Sequence, residues 1–157
     1  MTPEQFIATL APAAQAAMQK TRIPASFIIA QAALESAWGE SRLTVAANNL
    51  FGIKADSGWH GSSYRIQTRE YVDGHPVLVE AWFRSYPDWQ TSIDDHARFL
   101  QDPRYVQAFN TRNGIEFGYA IAAAGYATDP LYGQKLAEII ETHHLLAYDE
   151  STLTSTT

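Results

Sequence analysis

The sequence predicts a mainly α-helical α+β domain in which a single β-hairpin interrupts a bundle of helices. Apolar residues recur at helical spacing in the segments on both sides of the chain's middle. In the middle, two strand-like runs flank Asp73-Gly74, a pair that is typical of a hairpin turn. The 157 residues contain no internal repeat and no linker, which indicates one domain, predicted over residues 1–148.

The first two helices have clear boundary signals. Thr2 can cap the first helix, with Pro3 in its first turn and Gln5 completing a capping box. A second helix is predicted over residues 24–38, and Gly39 is placed to end it.

The middle of the chain is predicted to hold the hairpin. Residues 40–61 are predicted to form a loop with short extended pieces, one of them over 41–47. Strands are predicted over 64–71 and 77–85, joined by a loop longer than two residues, with Pro76 at a strand start.

The remainder of the chain returns to a helical pattern. Helices are predicted at four places, which are a stretch after Asp88 that ends before Pro103, residues 103–109, residues 115–124, and a last helix opened by Thr128-Asp129-Pro130. Residues 149–157 are rich in Ser and Thr and are predicted to be a disordered polar tail.

The composition excludes several classes of function. The formal net charge of −6, without a basic cluster, argues against nucleic acid as a partner. The chain has no cysteine and no apolar run of eighteen residues, so we expect no thiolate site and no membrane span. Because His60, His75 and His96 lack metal-ligand spacing, we expect neither a metal nor another cofactor.

Glu35 is the first candidate for catalysis. Between residues 25 and 38 the helix carries few polar side chains besides Gln31 and Glu35, so it is predicted to be buried. A poorly solvated carboxyl group has a raised pKa, which a general acid working near neutral pH requires. The alternatives are that Glu35 pairs with Arg22 or Arg42, or that it reaches water.

The hairpin supplies candidates for a second carboxylate, Glu70 and Glu80. Glycoside hydrolysis commonly uses two carboxyl groups, and their separation decides the stereochemistry. For either residue alone, the favoured alternative is a solvated cross-strand partner of Arg65, Arg69 or Arg84.

A third cluster lies between Gly125 and Tyr132, where two tyrosines flank a turn. A helix stop followed by a capped start explains Gly125, Thr128 and Asp129. This alternative does not explain why Tyr126 and Tyr132 flank the turn.

Four segments, in their order along the chain, resemble glycoside hydrolase family 73, the glucosaminidases of bacterial cell-wall turnover. They are AALESAWG at 32–39, NNLFGIK at 48–54, FRSY at 83–86, and AGYATDP at 124–130 followed by Tyr132 and Lys135. The resemblance covers residues 2–146 and is strongest to the flagellar rod-assembly branch of the family. Each motif is short, but four in sequence are very specific.

The resemblance implies a lysozyme-like fold, in which a helical lobe and a hairpin lobe flank a groove for a glycan strand. It implies an endo-β-N-acetylglucosaminidase that cuts the β-1,4 bond between N-acetylglucosamine and N-acetylmuramic acid in peptidoglycan. The family's catalytic acid falls on Glu35. Its second carboxylate falls on Glu70, because Thr68-Arg69-Glu70-Tyr71 matches the family better than the surroundings of Glu80. Tyr126 resembles a residue needed near the reacting sugar.

The resemblance leaves the mechanism open. Glu70 either activates water, steadies the positive charge that develops on the sugar, or is too mobile to do either. The substrate's own N-acetyl group is the alternative nucleophile, with Tyr126 positioning it.

Further side chains are expected to line the groove and bind the glycan. They are Asn49, Phe51, Trp59, Glu80, Trp82, Thr128 and Tyr132. The alternative for Leu50, Phe51 and Ile53 is core packing, which we expect to hold for at least two of them.

The expected context is a monomeric catalytic domain without a signal peptide, either a natural stand-alone protein or a domain cut from a longer chain. Such a protein would act on the wall after type VI secretion or lysis, and a toxin would require a periplasmic immunity protein that plugs its groove. The rival interpretations are a lytic transglycosylase giving anhydro-muramic ends, a non-catalytic glycan-binding module, and a purely structural helical protein.

Overall fold

The computed structural model describes residues 1–150, and statements about residues 151–157 lie outside it. Its helices and strands, in chain order, are α1 (Pro3–Thr21), α2 (Ala25–Ser36), α3 (Arg42–Ala47), β1 (Ser63–Val72), β2 (His75–Arg84), α4 (Trp89–Phe99), α5 (Gly114–Ala123) and α6 (Tyr132–Thr142). Two 3₁₀ helices span Pro103–Asn110 and Leu145–Asp149. The predicted class, mainly helical with one hairpin, is confirmed.

Helix α2 is the centre of the helical lobe. It packs against α1, α5, α6 and the C-terminal 3₁₀ helix, and side chains such as Phe27, Ile28 and Ile29 are buried. This burial confirms the expectation from its apolar sequence. The helix ends at Ser36, two residues earlier than predicted, because Ala37 and Trp38 adopt left-handed backbone conformations.

The capping signals of the N-terminal region account for one correct and one wrong prediction. Thr2 and Gln5 form the predicted capping box of α1. Residues 41–47 are predicted to be extended, but residues 42–47 form α3, because the Ser41 hydroxyl caps the helix by accepting a 3.1 Å hydrogen bond from the backbone N–H of Thr44.

Strands β1 and β2 form a two-stranded antiparallel sheet. Their turn is the two-residue Asp73-Gly74 pair, and both residues have positive φ, as a type I′ turn requires. The prediction of a longer loop is therefore wrong. Pro76 is the second residue of β2, close to the strand start where it was expected.

The base of the hairpin is held by the buried carboxylate of Asp95 in α4. It accepts hydrogen bonds from Arg84 at 2.8 Å, Tyr86 at 2.6 Å and Arg98 at 3.2 Å. Burial alone would raise the pKa of Asp95, but the hydrogen bonds from Tyr86 and Arg84 outweigh it and hold the pKa below its usual value. The strands are thus attached firmly at one end.

The carboxylate of Asp149 connects the C-terminal 3₁₀ helix to α2 and α5, and we call this arrangement the Asp149 clamp. Asp149 accepts hydrogen bonds from the backbone N–H of Ser26 at 2.7 Å, from the Ser26 hydroxyl at 2.6 Å and from the N–H of Gly114 at 3.3 Å. The described fold therefore includes Asp149, beyond the predicted domain boundary at residue 148. For 151–157 the predicted disorder falls outside the described residues.

One smaller difference concerns the last helix. The last helix begins at Tyr132 rather than at Pro130, because the Asp129 carboxylate accepts the N–H of Leu131 and closes a separate turn. Within residues 1–150, no helix combines the length and the apolar character that crossing a bilayer requires.

Candidate active site

Glu35 lies in the last turn of α2, where the buried helix reaches the surface. Its side chain is accessible to solvent, and within residues 1–150 it forms no ion pair with Arg22 or Arg42. The surrounding protein removes part of its water, and this desolvation raises the pKa of Glu35 above the ordinary carboxyl value. A hydrogen bond from Tyr132 opposes the shift but does not cancel it.

One oxygen of that carboxyl group is held in place. The Tyr132 hydroxyl, on α6, donates to Glu35 Oε1 at 2.8 Å. The same hydroxyl accepts from Gln31 Nε2 at 2.9 Å. Tyr132 is 5 % exposed, so its hydroxyl is committed to the protein, and its role in binding the sugar stays a prediction.

The contacts continue into the core through His96 of α4. Its Nε2 lies 2.7 Å from Gln31 Oε1, and Phe51 stacks on the imidazole with ring centroids 4.0 Å apart. Burial lowers the pKa of His96 to about 3, so the ring is neutral near pH 7. Its Nδ1 has no hydrogen-bond partner within residues 1–150.

Tyr126 stands beside this group. Its ring stacks on Tyr132 at 5.7 Å and meets His96 edge-on at 5.9 Å. Burial raises the pKa of Tyr126, and the negative charge of Glu35 raises it further, so the phenol stays protonated. Its hydroxyl makes no hydrogen bond to any of the described residues, which leaves it available to a ligand.

An open cavity of about 330 Å³ adjoins these aromatic rings. Its lining consists of Phe51, Gly52, Ile53, Lys54, Asp56, Arg84, His96, Phe99 and Tyr126. The loop after α3, the base of β2 and the helical lobe therefore meet at one concave surface. Concavity with mixed apolar and charged walls suits a sugar-sized ligand.

The two hairpin carboxylates lie on opposite faces of the sheet. Glu70 is paired across the strands with Val77, whereas Glu80 is paired with Gln67, and alternate residues of a strand point to opposite sides. Glu80 accepts a 3.2 Å hydrogen bond from Arg65, as the cross-strand alternative expects. Glu70 is exposed and contacts no charged partner within residues 1–150.

Two of the predicted groove residues have their polar groups committed to the protein. Asn49 is buried, and its amide bonds the backbone of Ile53 and of Arg84. The Trp59 indole donates to Ser62, and its ring lies against the Arg84 guanidinium at 4.7 Å. Both residues connect the loop after α3 to the base of the hairpin.

The other predicted groove residues differ in exposure. Phe51 is only 4 % exposed, and Leu50 beside it is fully buried, as the core-packing alternative expects. Phe51 nevertheless forms part of the cavity wall. Trp82 is 52 % exposed on the Glu80 face of the hairpin, and Thr128 is exposed in the turn before α6. The structure does not bring Trp82 or Thr128 into contact with Glu35.

Sequence reasoning missed the roles of Gln31 and His96. Gln31 lies four residues before Glu35 on one helix face, and it is the only amide in an otherwise apolar stretch, which was a usable signal. His96 had no such signal, since its partner lies 65 residues away. The described residues contain no group of three or more His, Cys, Asp or Glu that could hold a metal ion.

Comparison with known proteins covers most of the chain. The family profile described as "Glucosaminidase: Mannosyl-glycoprotein endo-beta-N-acetylglucosaminidase" matches residues 11–145. The peptidoglycan hydrolase FlgJ of Vibrio parahaemolyticus is 43 % identical over 143 residues. That alignment covers 88 % of this chain but 46 % of the relative, so the chain spans less than half the length of that protein.

Solved structures agree with the sequence match. The glycoside hydrolase domain of Salmonella typhimurium FlgJ superposes with a TM-score of 0.79 and 34 % identity, over 91 % of this chain and 98 % of that one. The catalytic domain of the Listeria monocytogenes autolysin Auto gives a TM-score of 0.83 and 32 % identity, over 94 % and 87 %. The lysozyme-like architecture is therefore confirmed, and the chain belongs to the glucosaminidase family of glycoside hydrolases.

Proposed function

We propose that this chain is a peptidoglycan hydrolase, an endo-β-N-acetylglucosaminidase that cuts between N-acetylglucosamine and N-acetylmuramic acid. One observation carries the proposal: a solvent-accessible glutamate with a raised pKa at the end of a buried helix, bonded to Tyr132, whose ring stacks on the cavity-lining Tyr126. A glycosidase needs such a carboxyl group, because its proton must be present near neutral pH and must reach the leaving oxygen. The family and its named relatives support the same chemistry.

Glu35 is the general acid in this proposal. It transfers its proton to the glycosidic oxygen while the bond from that oxygen to the anomeric carbon breaks. The departing sugar leaves as a neutral alcohol, and the anomeric carbon develops positive charge. Glu35 is left as a carboxylate that Tyr132 stabilises through its hydrogen bond.

The nucleophile is the second part of the proposal. Glu70 makes no contact with the Glu35 group, whereas Tyr126 stands beside it with a free hydroxyl. This arrangement favours substrate assistance, in which the acetamide oxygen attacks the anomeric carbon and forms a cyclic oxazolinium ion. Tyr126 would orient the acetamide, and water would then open the ring, passing its proton to the Glu35 carboxylate, to give the reducing end. Glu70 acting on water is the second candidate.

Analysis of the products tests the activity. Purified peptidoglycan is digested, reduced with borohydride and examined by mass spectrometry, with Glu35→Gln as the matched control. Reduced N-acetylglucosamine ends from wild type alone are the expected result. Anhydro-muramic ends would instead identify a lytic transglycosylase. Binding to the wall without released fragments would identify a glycan-binding module.

The place of action follows from the substrate. Peptidoglycan lies outside the cytoplasmic membrane, so we propose that the chain acts there as a monomer. Type VI delivery, with an immunity protein that occupies the groove, is the finer hypothesis. A neighbouring reading frame whose product carries a signal peptide and blocks wall digestion in vitro would support it. Undiminished digestion with that product present would count against it.

A further inference from the structure

Four side chains from three helices form one continuous chain of hydrogen bonds. Its links are Glu35 to Tyr132 at 2.8 Å, Tyr132 to Gln31 at 2.9 Å, and Gln31 to His96 at 2.7 Å. Gln31, Tyr132 and His96 are each at most 5 % exposed. The chain thus connects an accessible carboxyl group to the interior of the helical lobe.

Donor and acceptor chemistry fixes the direction of every link. The Tyr132 oxygen already accepts a hydrogen bond from Gln31 Nε2, so its one hydroxyl proton is donated to Glu35 Oε1. The oxygen of Tyr132 then accepts from the Gln31 NH₂ group, and the Gln31 carbonyl faces His96. That carbonyl also only accepts, so the His96 proton resides on Nε2.

The surroundings of His96 agree with this assignment. Its neutral ring carries one proton, and its Nδ1 is buried without a partner among the described residues. A buried acceptor without a partner is a cost to stability. The ring therefore contributes its single donor at Nε2 to Gln31, and it forgoes a hydrogen bond at its other nitrogen.

We infer that Gln31 and His96 are positioning residues, which hold the Tyr132 hydroxyl against Glu35 Oε1 so that the catalytic proton is carried by Oε2. This inference rests on the function proposed above. Rotation about the last bond of a glutamate is broad and nearly two-fold. A firm donor at one oxygen removes that freedom and assigns the proton to the other.

Replacement of His96 tests the inference through paired variants. His96→Phe keeps a flat ring against Phe51 but removes the donor, whereas His96→Gln places an amide N–H near the original Nε2. We expect His96→Phe to lower kcat by about tenfold with KM nearly unchanged, because misplaced catalytic groups cost rate rather than binding. His96→Gln should restore most of that loss.

The pH profile provides a readout that simple destabilisation does not move. The Tyr132 hydrogen bond lowers the pKa of Glu35, so a loosened bond lets that pKa rise. The acid then keeps its proton to higher pH, and the alkaline limb of kcat should move upward in His96→Phe and in Gln31→Leu. Ser92→Ala is the matched control, since it removes a different buried hydrogen bond of α4, from the Leu50 N–H at 3.1 Å. Ser92→Ala should lower the melting temperature and leave the alkaline limb of kcat at its wild-type pH.

A double-mutant cycle separates one shared path from two independent effects. If His96 acts through Tyr132, the combination of Tyr132→Phe with His96→Phe should be little worse than Tyr132→Phe alone. Multiplied losses in kcat would overturn the inference.

Nuclear magnetic resonance tests the same chain without using activity. Nitrogen shifts of His96 should show a neutral ring protonated on Nε2 throughout about pH 5–8. The carbon shift of the Glu35 carboxyl should report a higher pKa in His96→Phe than in wild type. A proton on Nδ1, or an unchanged pKa of Glu35, would overturn the inference. If wild type releases no wall fragments, the proposed function fails, and these spectra still decide the positioning role.

If His96→Phe does not fold, Gln31→Met provides the same test at the other end of the link. It keeps the length and volume of the side chain but offers neither the donor nor the acceptor. If Gln31→Met folds and the alkaline limb of its kcat profile stays at the wild-type pH, the inference would also be contradicted.

Discussion

Glu35 and Glu70 show how differently two carboxyl groups can be held in one domain. Glu35 ends a buried helix, and three further side chains secure one of its oxygens. Glu70 lies near the free end of a two-stranded hairpin, exposed and without a charged partner in the described part of the chain. Packing of the helical lobe therefore fixes the position of the proton donor. The position of Glu70 depends instead on where the hairpin strands lie relative to a bound substrate.

The two lobes therefore contribute different properties to the site. The helical lobe offers a set position and a shifted pKa, which acid catalysis needs. The hairpin is attached at its base through Asp95 and extends from there with its tip in solvent. Substitutions in the helical lobe should accordingly cost more activity than substitutions on the hairpin.

The largest effect is expected for Glu35→Gln. The variant keeps the shape and the hydrogen bond from Tyr132 but has no proton to donate, so kcat should fall by at least about 10²–10⁴-fold. Because the folded state raises the pKa of Glu35, the ionised carboxyl is disfavoured in the folded chain at neutral pH. The melting temperature should therefore stay equal or rise in a thermal scan at pH 7. Retained activity would remove Glu35 from the mechanism.

Tyr126→Phe should have the next largest effect. It removes the free hydroxyl beside Glu35 while keeping the ring stack on Tyr132. Loss of one hydrogen bond to the reacting sugar corresponds to about tenfold in kcat. Kinetics with soluble glycan fragments measure it, and an unchanged kcat would count against the role of Tyr126.

Glu70→Gln is expected to cost less than Glu35→Gln by at least about tenfold, if the substrate supplies its own nucleophile. Glu80→Gln is the matched control on the opposite face of the same sheet, where a surface ion pair contributes at most about 1 kcal/mol to stability. Rates of peptidoglycan digestion are measured for both variants and for Glu35→Gln. Equal losses for Glu70→Gln and Glu35→Gln would assign Glu70 the role of base.

Asp95→Asn tests the attachment of the hairpin and should have the smallest effect on kcat. It weakens the charge-assisted hydrogen bonds of Arg84 and Tyr86, which should cost about 1.5–3 kcal/mol of folding free energy.

The pH dependence of that loss has a defined sign. The pKa of Asp95 is lowered in the folded state, so its contribution is present above the unfolded value of about 3.9 and is lost as the pH falls through the folded pKa. The gap in melting temperature between wild type and Asp95→Asn should therefore close in acid. A constant gap would indicate lost packing instead.

Local signals explain what could be predicted from the sequence. The capping box at Thr2 and Gln5, the hairpin strands and the candidacy of Glu35 all depend on neighbours within a few residues. Helix α3 was missed although Ser41 caps it, because the segment is short and its apolar pattern is ambiguous.

Long-range contacts explain what could not be predicted. Tyr132 meets Glu35 across 97 residues of chain, and His96 meets Gln31 across 65. Both contacts depend on how α6 packs on α2 and how α4 packs on α1, which no short pattern encodes. The same holds for Asn49. The sequence alone suggested that its amide binds sugar, whereas in the folded chain the amide bonds the loop and the β2 backbone.

The Asp149 clamp has a practical consequence for where this domain can be cut or fused. The family match ends at residue 145, yet the carboxylate four residues later serves the first turns of both α2 and α5. Pro24 gives α2 no side-chain cap of its own, so a chain shortened to residue 145 would leave that helix start bare. A minimal expression boundary should retain Asp149, and a fusion partner joined upstream of it would compete with the clamp for the helix on which Glu35 stands.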